Sequence, residues 1–226
     1  MTRGVLYITF DGGDDRVFPA LERSIGSLRI HHPDMEVCEQ VFAPGSLLDK
    51  VKMLDLSPFD TTLFLDADTV VLGPLDHVFD RAEKYGLALA VCECPWARRF
   101  AGLSDMKNLQ EWNTGVMAFT DEAAPVFEAW KRNIAIDSSL RFVANDGSVQ
   151  TMPMNDQAAF ALAIEQTGYC PWALPLNYNY RPIWQHTCFG PVVIWHDYAP
   201  VPDSLLKWNA EQSASDAVIQ CGRVTR

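Results

Sequence analysis

The sequence predicts a single α/β domain, and three observations carry that expectation. Apolar runs of strand length alternate with segments whose apolar residues recur at helical spacing. At 226 residues, 48% of them apolar and 11% aromatic, the chain can fill one core and is too short for two ordinary domains. The run Thr61 to Leu65 ends on two carboxylates, Asp66 and Asp68, and in open α/β sheets ligands gather at the carboxyl ends of strands.

Val5 to Phe10 reads as a buried strand, followed by the acidic turn Asp11-Gly12-Gly13-Asp14-Asp15, which offers a cap to the next helix. That helix is expected from Arg16 to about Ile30, with Phe18, Leu21, Ile25 and Leu28 on its apolar face and His31-His32-Pro33 ending it. A second strand, Met35 to Phe42, completes a β-α-β unit. Ser46-x-x-Asp49 matches a capping box and starts a short helix faced by Leu48, Val51 and Leu54. Pro58-Phe59-Asp60 turns the chain into the central strand, and Val70 to Leu72 resumes its apolar character.

Gly73-Pro74 opens another short helix (Leu75, Val78, Phe79), and Leu87 to Cys92 is a strand. An irregular segment from Pro95 to Trp112 carries Trp96, Arg98, Arg99 and Phe100. Asn113 to Phe119 steps from polar to apolar as a strand does, and a capped helix follows with Phe127, Trp130 and Ile134 inward. Asn145-Asp146-Gly147 is a hairpin-type turn. Asn155 suits the N-cap of a helix containing Ala159, Phe160, Ala163 and Ile164, which Gly168 closes. The segment Pro171 to Asp197 holds Trp172, Trp184 and Trp195 and ends in the strand Val192 to His196. The tail from Asn209 is polar and suggests no element.

A formal charge of −11 argues against nucleic acid or an anionic membrane surface as partner. The six cysteines include no C-x-x-C pair, so a reducing compartment is the simplest fit. The amino terminus lacks the apolar core of a signal peptide, and no apolar run approaches a membrane span. The expectation is a soluble, cytoplasmic protein.

The chemistry concentrates on Asp66-Ala67-Asp68. In extended chain, residues two apart point to one side, so both carboxylates can aim at a common point while the small Ala67 leaves room beside the backbone. Two like charges ~4 Å apart repel by roughly 4 kcal/mol at an effective dielectric of 20, which a proton or a cation must offset. Carboxylate oxygens suit hard ions such as Mg²⁺ or Mn²⁺, which commonly bridge a protein to phosphates. A solvated turn or a helix cap would display the same letters.

Other residues sit where ligands would lie. Thr9 and Asp11, at the mouth of the first strand, are placed for a nucleotide base or ribose, whereas Asp14 and Asp15 read as a solvated turn. Lys50 and Lys52 precede the acidic pair, and either can reach a phosphate or simply face solvent. Asn113 offers an amide to hydroxyls, and Gly115 lets a ligand approach the backbone. Asp156 in a first helical turn suits the helix dipole, while Gln157 has no such structural excuse. His196, closing a strand, is either a hydrogen-bonded core residue or the best remaining third ligand for a metal.

Leu63-Phe64-Leu65-Asp66-Ala67-Asp68-Thr69, Asn113-Thr114-Gly115-Val116, Asn155-Asp156-Gln157 and Ile194-Trp195-His196 together resemble, in order and over roughly two thirds of the chain, the motifs of glycosyltransferase family eight, the glycogenin-like and galactosyltransferase-like enzymes. That resemblance implies the GT-A fold, a Rossmann-like mixed central sheet with helices on both faces. It implies one domain over 1–226, with a nucleotide-binding half over about 1–72 and a donor-sugar and acceptor half over about 73–208. It implies a hexosyltransferase that uses a nucleotide-sugar donor, usually a UDP-hexose, a hydroxyl acceptor and Mn²⁺ or Mg²⁺ held by Asp66, Asp68 and His196. By the same resemblance Asn113, Asp156 and Gln157 line the donor sugar, Lys52 is the basic residue before the acidic strand, and the product retains the donor's anomeric configuration. One departure stands out: His196 is followed by Asp197-Tyr198-Ala199-Pro200 where family members carry a lysine-bearing lid that touches the diphosphate, with Lys207 the remaining substitute.

Two other readings fit the same residues. A haloacid-dehalogenase-type phosphohydrolase would use Asp66 as nucleophile and Asp68 as acid and base. A non-catalytic sugar-nucleotide-binding protein would keep the metal site without acceptor chemistry.

Overall fold

A β-α-β unit begins the chain: β1 (Arg3–Phe10), the helix α1 (Val17–His31) and β2 (Glu36–Phe42), with the two strands parallel from Gly4↔Glu36 to Phe10↔Phe42. The computed structural model describes residues 1–10, 14–93, 109–136, 139–143, 146–152, 154–213 and 221–223. A capping box built by Ser46 and Asp49 starts a 3-10 turn, Leu47–Lys52, that runs into the short helix α2 (Met53–Leu56). The central strand β3 (Thr61–Leu65) then pairs parallel with β1 and is buried along its whole length. β4 (Thr69–Val71), α3 (Asp76–Tyr85) and β5 (Leu87–Val91) follow, and Gly86 closes α3 at φ 73°, a left-handed conformation that favours glycine.

β6 (Trp112–Thr120) inserts antiparallel between β3 and β5, one residue earlier than its sequence suggests. With β9 (Trp172–Leu174) parallel to β5, the main sheet has the order β2-β1-β3-β6-β5-β9 and is mixed. Period-two alternation divides its side chains between two cores. Leu6, Phe64, Met117 and Leu89 face Phe127, Trp130 and Phe160 of α4 (Ala124–Asn133) and α5 (Gln157–Thr167), whereas Val5, Leu63 and Ala118 face Leu21 and Leu28 of α1 and Phe79 of α3. Helices therefore cover both faces, as an α/β chain of this length requires.

Three smaller pairs complete the fold: the hairpin β7 (Leu140–Val143) and β8 (Val149–Met152), β10 (Thr187–Phe189) with β12 (Cys221–Arg223), and β11 (Ile194–His196) with β4. Asn145 of the expected hairpin turn lies outside the described residues, as do Asp11 and the basic and aromatic segment of Trp96, Arg98, Arg99 and Phe100. One element its sequence did not announce runs into the polar tail: α6 (Asp203–Ser213), whose Asn209 side chain bonds both Val192 N (3.0 Å) and Val192 O (2.8 Å). No described helix is long and apolar enough to cross a membrane.

Two local expectations are corrected. Among the described residues of the acidic turn, Asp14 accepts from the Arg16 amide and guanidinium, and Arg16 at the N-cap position of α1 makes no side-chain cap. At α5 the N-cap position belongs to Asp156, also without a side-chain cap, while Asn155 Oδ1 accepts from Gln157 N at 3.1 Å.

Candidate active site

β3 stops at Leu65, so Asp66 and Asp68 do not converge by strand alternation as expected. They lie in a turn that Thr69 closes by donating its amide (3.1 Å) and its hydroxyl (2.8 Å) to Asp66 O, while Asp66 N donates to Gly115 O at 2.8 Å. The turn feeds β4, and β4 pairs with β11 in a register that sets Thr69 opposite His196. A further bond from Asp197 N to Asp68 O (3.0 Å) ties the strand end of the histidine to the acidic turn. Two distant parts of the chain thereby meet.

The result is a group in which Asp66, Asp68 and His196 each offer a ligand atom within 4.8 Å of the others. His196 Nε2 lies 3.3 Å from Asp68 Oδ1 and 3.7 Å from Asp66 Oδ2. Its other ring nitrogen, Nδ1, is 2.7 Å from Asn179 Oδ1, a bond that fixes the ring with Nε2 facing the two carboxylates. Two carboxylates and one imidazole match the donor preferences of a hard or borderline divalent ion. Gly115 makes the arrangement possible: a Cβ there would lie 2.4 Å from His196 Cε1 and 2.5 Å from Asp66 Oδ2.

The lysine in the site is Lys50, not Lys52. Lys50 is buried and its ammonium sits 2.6 Å from Asp66 Oδ1, whereas Lys52 is half-exposed, pairs with Asp49 at 2.7 Å and lies over the Phe42 ring. Burial alone would lower the pKa of Lys50, but Asp66, Asp156 and Asp68 outweigh it and raise it, so the ammonium stays charged. Burial likewise opposes ionisation of Asp68, yet His196 and Lys50 bring that carboxyl down to about 2. The capping box held the clue: it places Asp49 three residues before Lys52 and so gives Lys52 a partner of its own.

Asp156 is buried beneath the group, its Oδ2 accepting from Thr114 Oγ1 at 2.5 Å and its carbonyl from the Trp130 indole at 3.0 Å. Burial raises its pKa, against the pull of Lys50 and Thr114. Gln157 is half-buried, with its amide nitrogen 3.8 Å from Cys92 Sγ, and Asn113 is buried with Oδ1 accepting from Gly115 N at 2.9 Å.

A cleft of about 280 Å³ opens beside the acidic turn, lined by Thr9, Val17, Lys50, Ala67, the Asp66–Asp68–His196 group and Tyr198. Thr9 is 2% exposed, and its hydroxyl finds no hydrogen-bond partner among the described residues. Tyr198 and Asn179 escaped the sequence reading, since nothing in their spacing marks them. Lys207 is exposed on α6 and does not line the cleft.

No protein-family model and no curated protein matches the sequence. Solved structures do match. They include the apo form of mouse xyloside xylosyltransferase 1 (TM-score 0.57, 12% identity, covering 89% of this chain and 100% of that one) and galactosyltransferase LgtC with donor and acceptor sugar analogues (0.51, 14%, 95% and 97%). The apo glycosyltransferase GlyE of Streptococcus pneumoniae TIGR4 also matches (0.53, 14%, 96% of this chain), although this chain spans 61% of its length. Likeness at such identities is one of architecture: the mixed sheet with helices on both faces is the GT-A glycosyltransferase fold.

Proposed function

We propose that the protein is a metal-dependent glycosyltransferase that moves a hexose from a nucleotide-sugar, a UDP-hexose foremost, to a hydroxyl acceptor. The observation that carries this reading is the meeting of Asp66, Asp68 and His196 beside a cleft at the carboxyl end of β3, in a fold shared with glycosyltransferases. Asp66, Asp68 and His196 would hold Mn²⁺ or Mg²⁺, and the bound ion would supply Lewis-acid stabilisation of the charge that develops on the leaving diphosphate.

The chain's own groups divide the remaining work. Thr9 offers its unpaired hydroxyl to the nucleoside, and Asp11, two residues later in the sequence, would share that role. Lys50 pairs with Asp66 and fixes it, so that carboxylate is ready without reorganisation. Asn113 and Gly115 shape the wall against which the donor sugar rests. Asp156, held by Thr114, binds sugar hydroxyls and orients the ring, and Gln157 turns its carbonyl oxygen to the electron-poor anomeric carbon. The amino-terminal half, about residues 1–72, would bind the nucleotide, and residues 73–208 the two sugars.

In this reading configuration is retained, with the leaving phosphate accepting the acceptor's proton. Asp156 acting as a base on the acceptor would invert it. The test is a donor screen by thermal shift with and without Mn²⁺, followed by UDP release from the stabilising donor and NMR of the product's anomeric proton. Stabilisation by a UDP-sugar only with metal, lost in Asp66→Asn and Asp68→Asn, is the expected result. Full activity in excess EDTA would end the metal reading, and an inverted linkage would end the retaining one. A phosphohydrolase would instead turn over p-nitrophenyl phosphate, and an inactive binder would bind UDP with Mn²⁺ yet release none from any donor.

A further inference from the structure

The segment after His196 is bound to the body of the protein at each residue. Arg23 of α1 donates from its two terminal nitrogens to Asp197 O and Tyr198 O, at 2.9 Å each, and Asp197 N donates to Asp68 O at 3.0 Å. Ala199 N returns to Asp197 Oδ1 at 2.8 Å, and Ala199 O accepts from the Trp195 indole at 3.1 Å. Tyr198 is therefore a fixed wall of the cleft, and its ring carries a passenger: the Arg16 guanidinium lies 4.3 Å from the ring centroid. Arg16 is also near enough to Asp68 for the two charges to interact.

Among the described residues the cleft lacks positive charge for the ligand proposed above. Its formal charges are Lys50, already bound to Asp66, and the two carboxylates, so that with a divalent ion the balance is about +1. A diphosphate leaving as its monoester carries about three negative charges at pH 7. Arg16 can supply one further positive charge at little cost, because what occupies its fork now is Asp14, at 2.7 Å, in a pair whose side chains are 67% and 41% exposed.

We propose that Arg16, resting on the fixed ring of Tyr198, exchanges Asp14 for the diphosphate of the bound nucleotide. It would thus provide from α1 the cation that the segment following His196 lacks. This rests on the nucleotide-sugar reading, and it assigns Asp14 a competing role: an internal anion that the ligand displaces.

Calorimetric titrations with Mn²⁺ and, in turn, UDP, UMP and uridine test it. Arg16→Gln should weaken UDP about 10- to 50-fold and leave uridine within about twofold, because only a charge-assisted phosphate contact is lost. Arg16→Lys should recover part of the loss. Asp14→Asn, which frees the guanidinium, should tighten UDP about 2- to 5-fold, a sign that a merely structural Asp14–Arg16 pair would not give. Undiminished UDP affinity in Arg16→Gln, an equal loss for uridine, or weakening by Asp14→Asn overturns the proposal. These outcomes leave the transferase reading in place so long as the wild type binds UDP with Mn²⁺ and Asp66→Asn does not. A wild type that binds no UDP removes both.

Discussion

Gly115→Ala separates the chemistry of this site from its fold. The backbone at Gly115 is ordinary β6 strand, outside the left-handed region, so alanine meets no conformational penalty there. What the new methyl meets is His196 Cε1 at 2.4 Å and Asp66 Oδ2 at 2.5 Å, with Asn113 Oδ1 at 3.1 Å. Ordinary contact needs about 3.5 Å, so each ligand must retreat by about 1 Å. Neither can do so and keep its partner, since Asp66 is held by Lys50 at 2.6 Å and His196 by Asn179 at 2.7 Å. Overpacking of this kind costs about 1–3 kcal/mol of stability, a few degrees to about 12 °C in Tm for a chain this size. A displacement of about 1 Å at a reacting centre costs about 100-fold in rate. The expected protein is therefore folded, with near-native circular dichroism and a modest fall in Tm, yet it loses Mn²⁺-dependent UDP binding in calorimetry and about two orders of magnitude in kcat/KM. If Gly115→Ala binds Mn²⁺ and UDP like the wild type, these three side chains do not form the metal site.

Three further outcomes follow from the geometry. Lys50→Met leaves the Asp66 and Asp156 carboxylates without their counter-charge, so the metal-free protein should lose about 3 kcal/mol, about 6–12 °C in Tm, and Mn²⁺ should restore more of that loss than it adds to the wild type; equal Mn²⁺ shifts in both would contradict the role given to the ammonium. Asn179→Ala frees the His196 ring and should weaken Mn²⁺ binding about 10- to 100-fold in a fluorescence titration, with a fall of a few degrees in the metal-free Tm because a buried hydrogen bond is lost; wild-type affinity would mean that the ring is oriented by something else. Away from the site, hydrogen bonding to Arg3 lowers the Glu83 carboxyl from its ordinary value, so its contribution is complete above the unfolded value near 4.3 and is lost as pH falls through the lowered folded one. Glu83→Gln should therefore flatten the decline of Tm between about pH 5 and 3 by about 1–4 °C, the span of a partly exposed ion pair, and parallel slopes would refute the linkage.

The sheet was legible because its signal is apolar alternation, which needs no distant partner to be read. Val5 and Tyr7 on one face of β1 and Leu6 and Ile8 on the other foretell the two cores, and Leu63 to Leu65 foretells a strand buried on both sides. The acidic pair was legible as chemistry but not as geometry, because the turn that aims Asp66 and Asp68 is set by Thr69 and by Gly115 O, almost fifty residues downstream. The choice between Lys50 and Lys52 stayed open in the sequence for a related reason. The expected α-helix turns about 100° per residue, whereas the 3-10 turn actually formed advances about 120°, and this delivers Lys50 to the buried side and Lys52 to Asp49. α6 escaped because its anchorage is one amide, Asn209, bonded to the backbone of Val192, together with the buried Leu205.

The electrostatics of the group show how so many carboxylates share one site. Asp66, Asp68 and Asp156 crowd one end of the sheet against a single buried ammonium, and three ionised carboxylates around one lysine would leave two charges unbalanced. The burden is shared unequally. Burial pushes Asp156 towards its neutral form, Lys50 stabilises Asp66 directly, and Asp68 remains ionised beside His196. Lys50 thus acts as a resident cation for the first carboxylate, while the second keeps its charge facing the imidazole Nε2, the pair of donors left for an incoming ion. An ion entering there would meet ligands already fixed by Asn179, Lys50 and the Thr69-closed turn, so little of its binding energy would be spent on ordering them. The same fixation makes the site intolerant of small errors, which is why one methyl group at Gly115 is expected to do what an unrelated surface substitution would not.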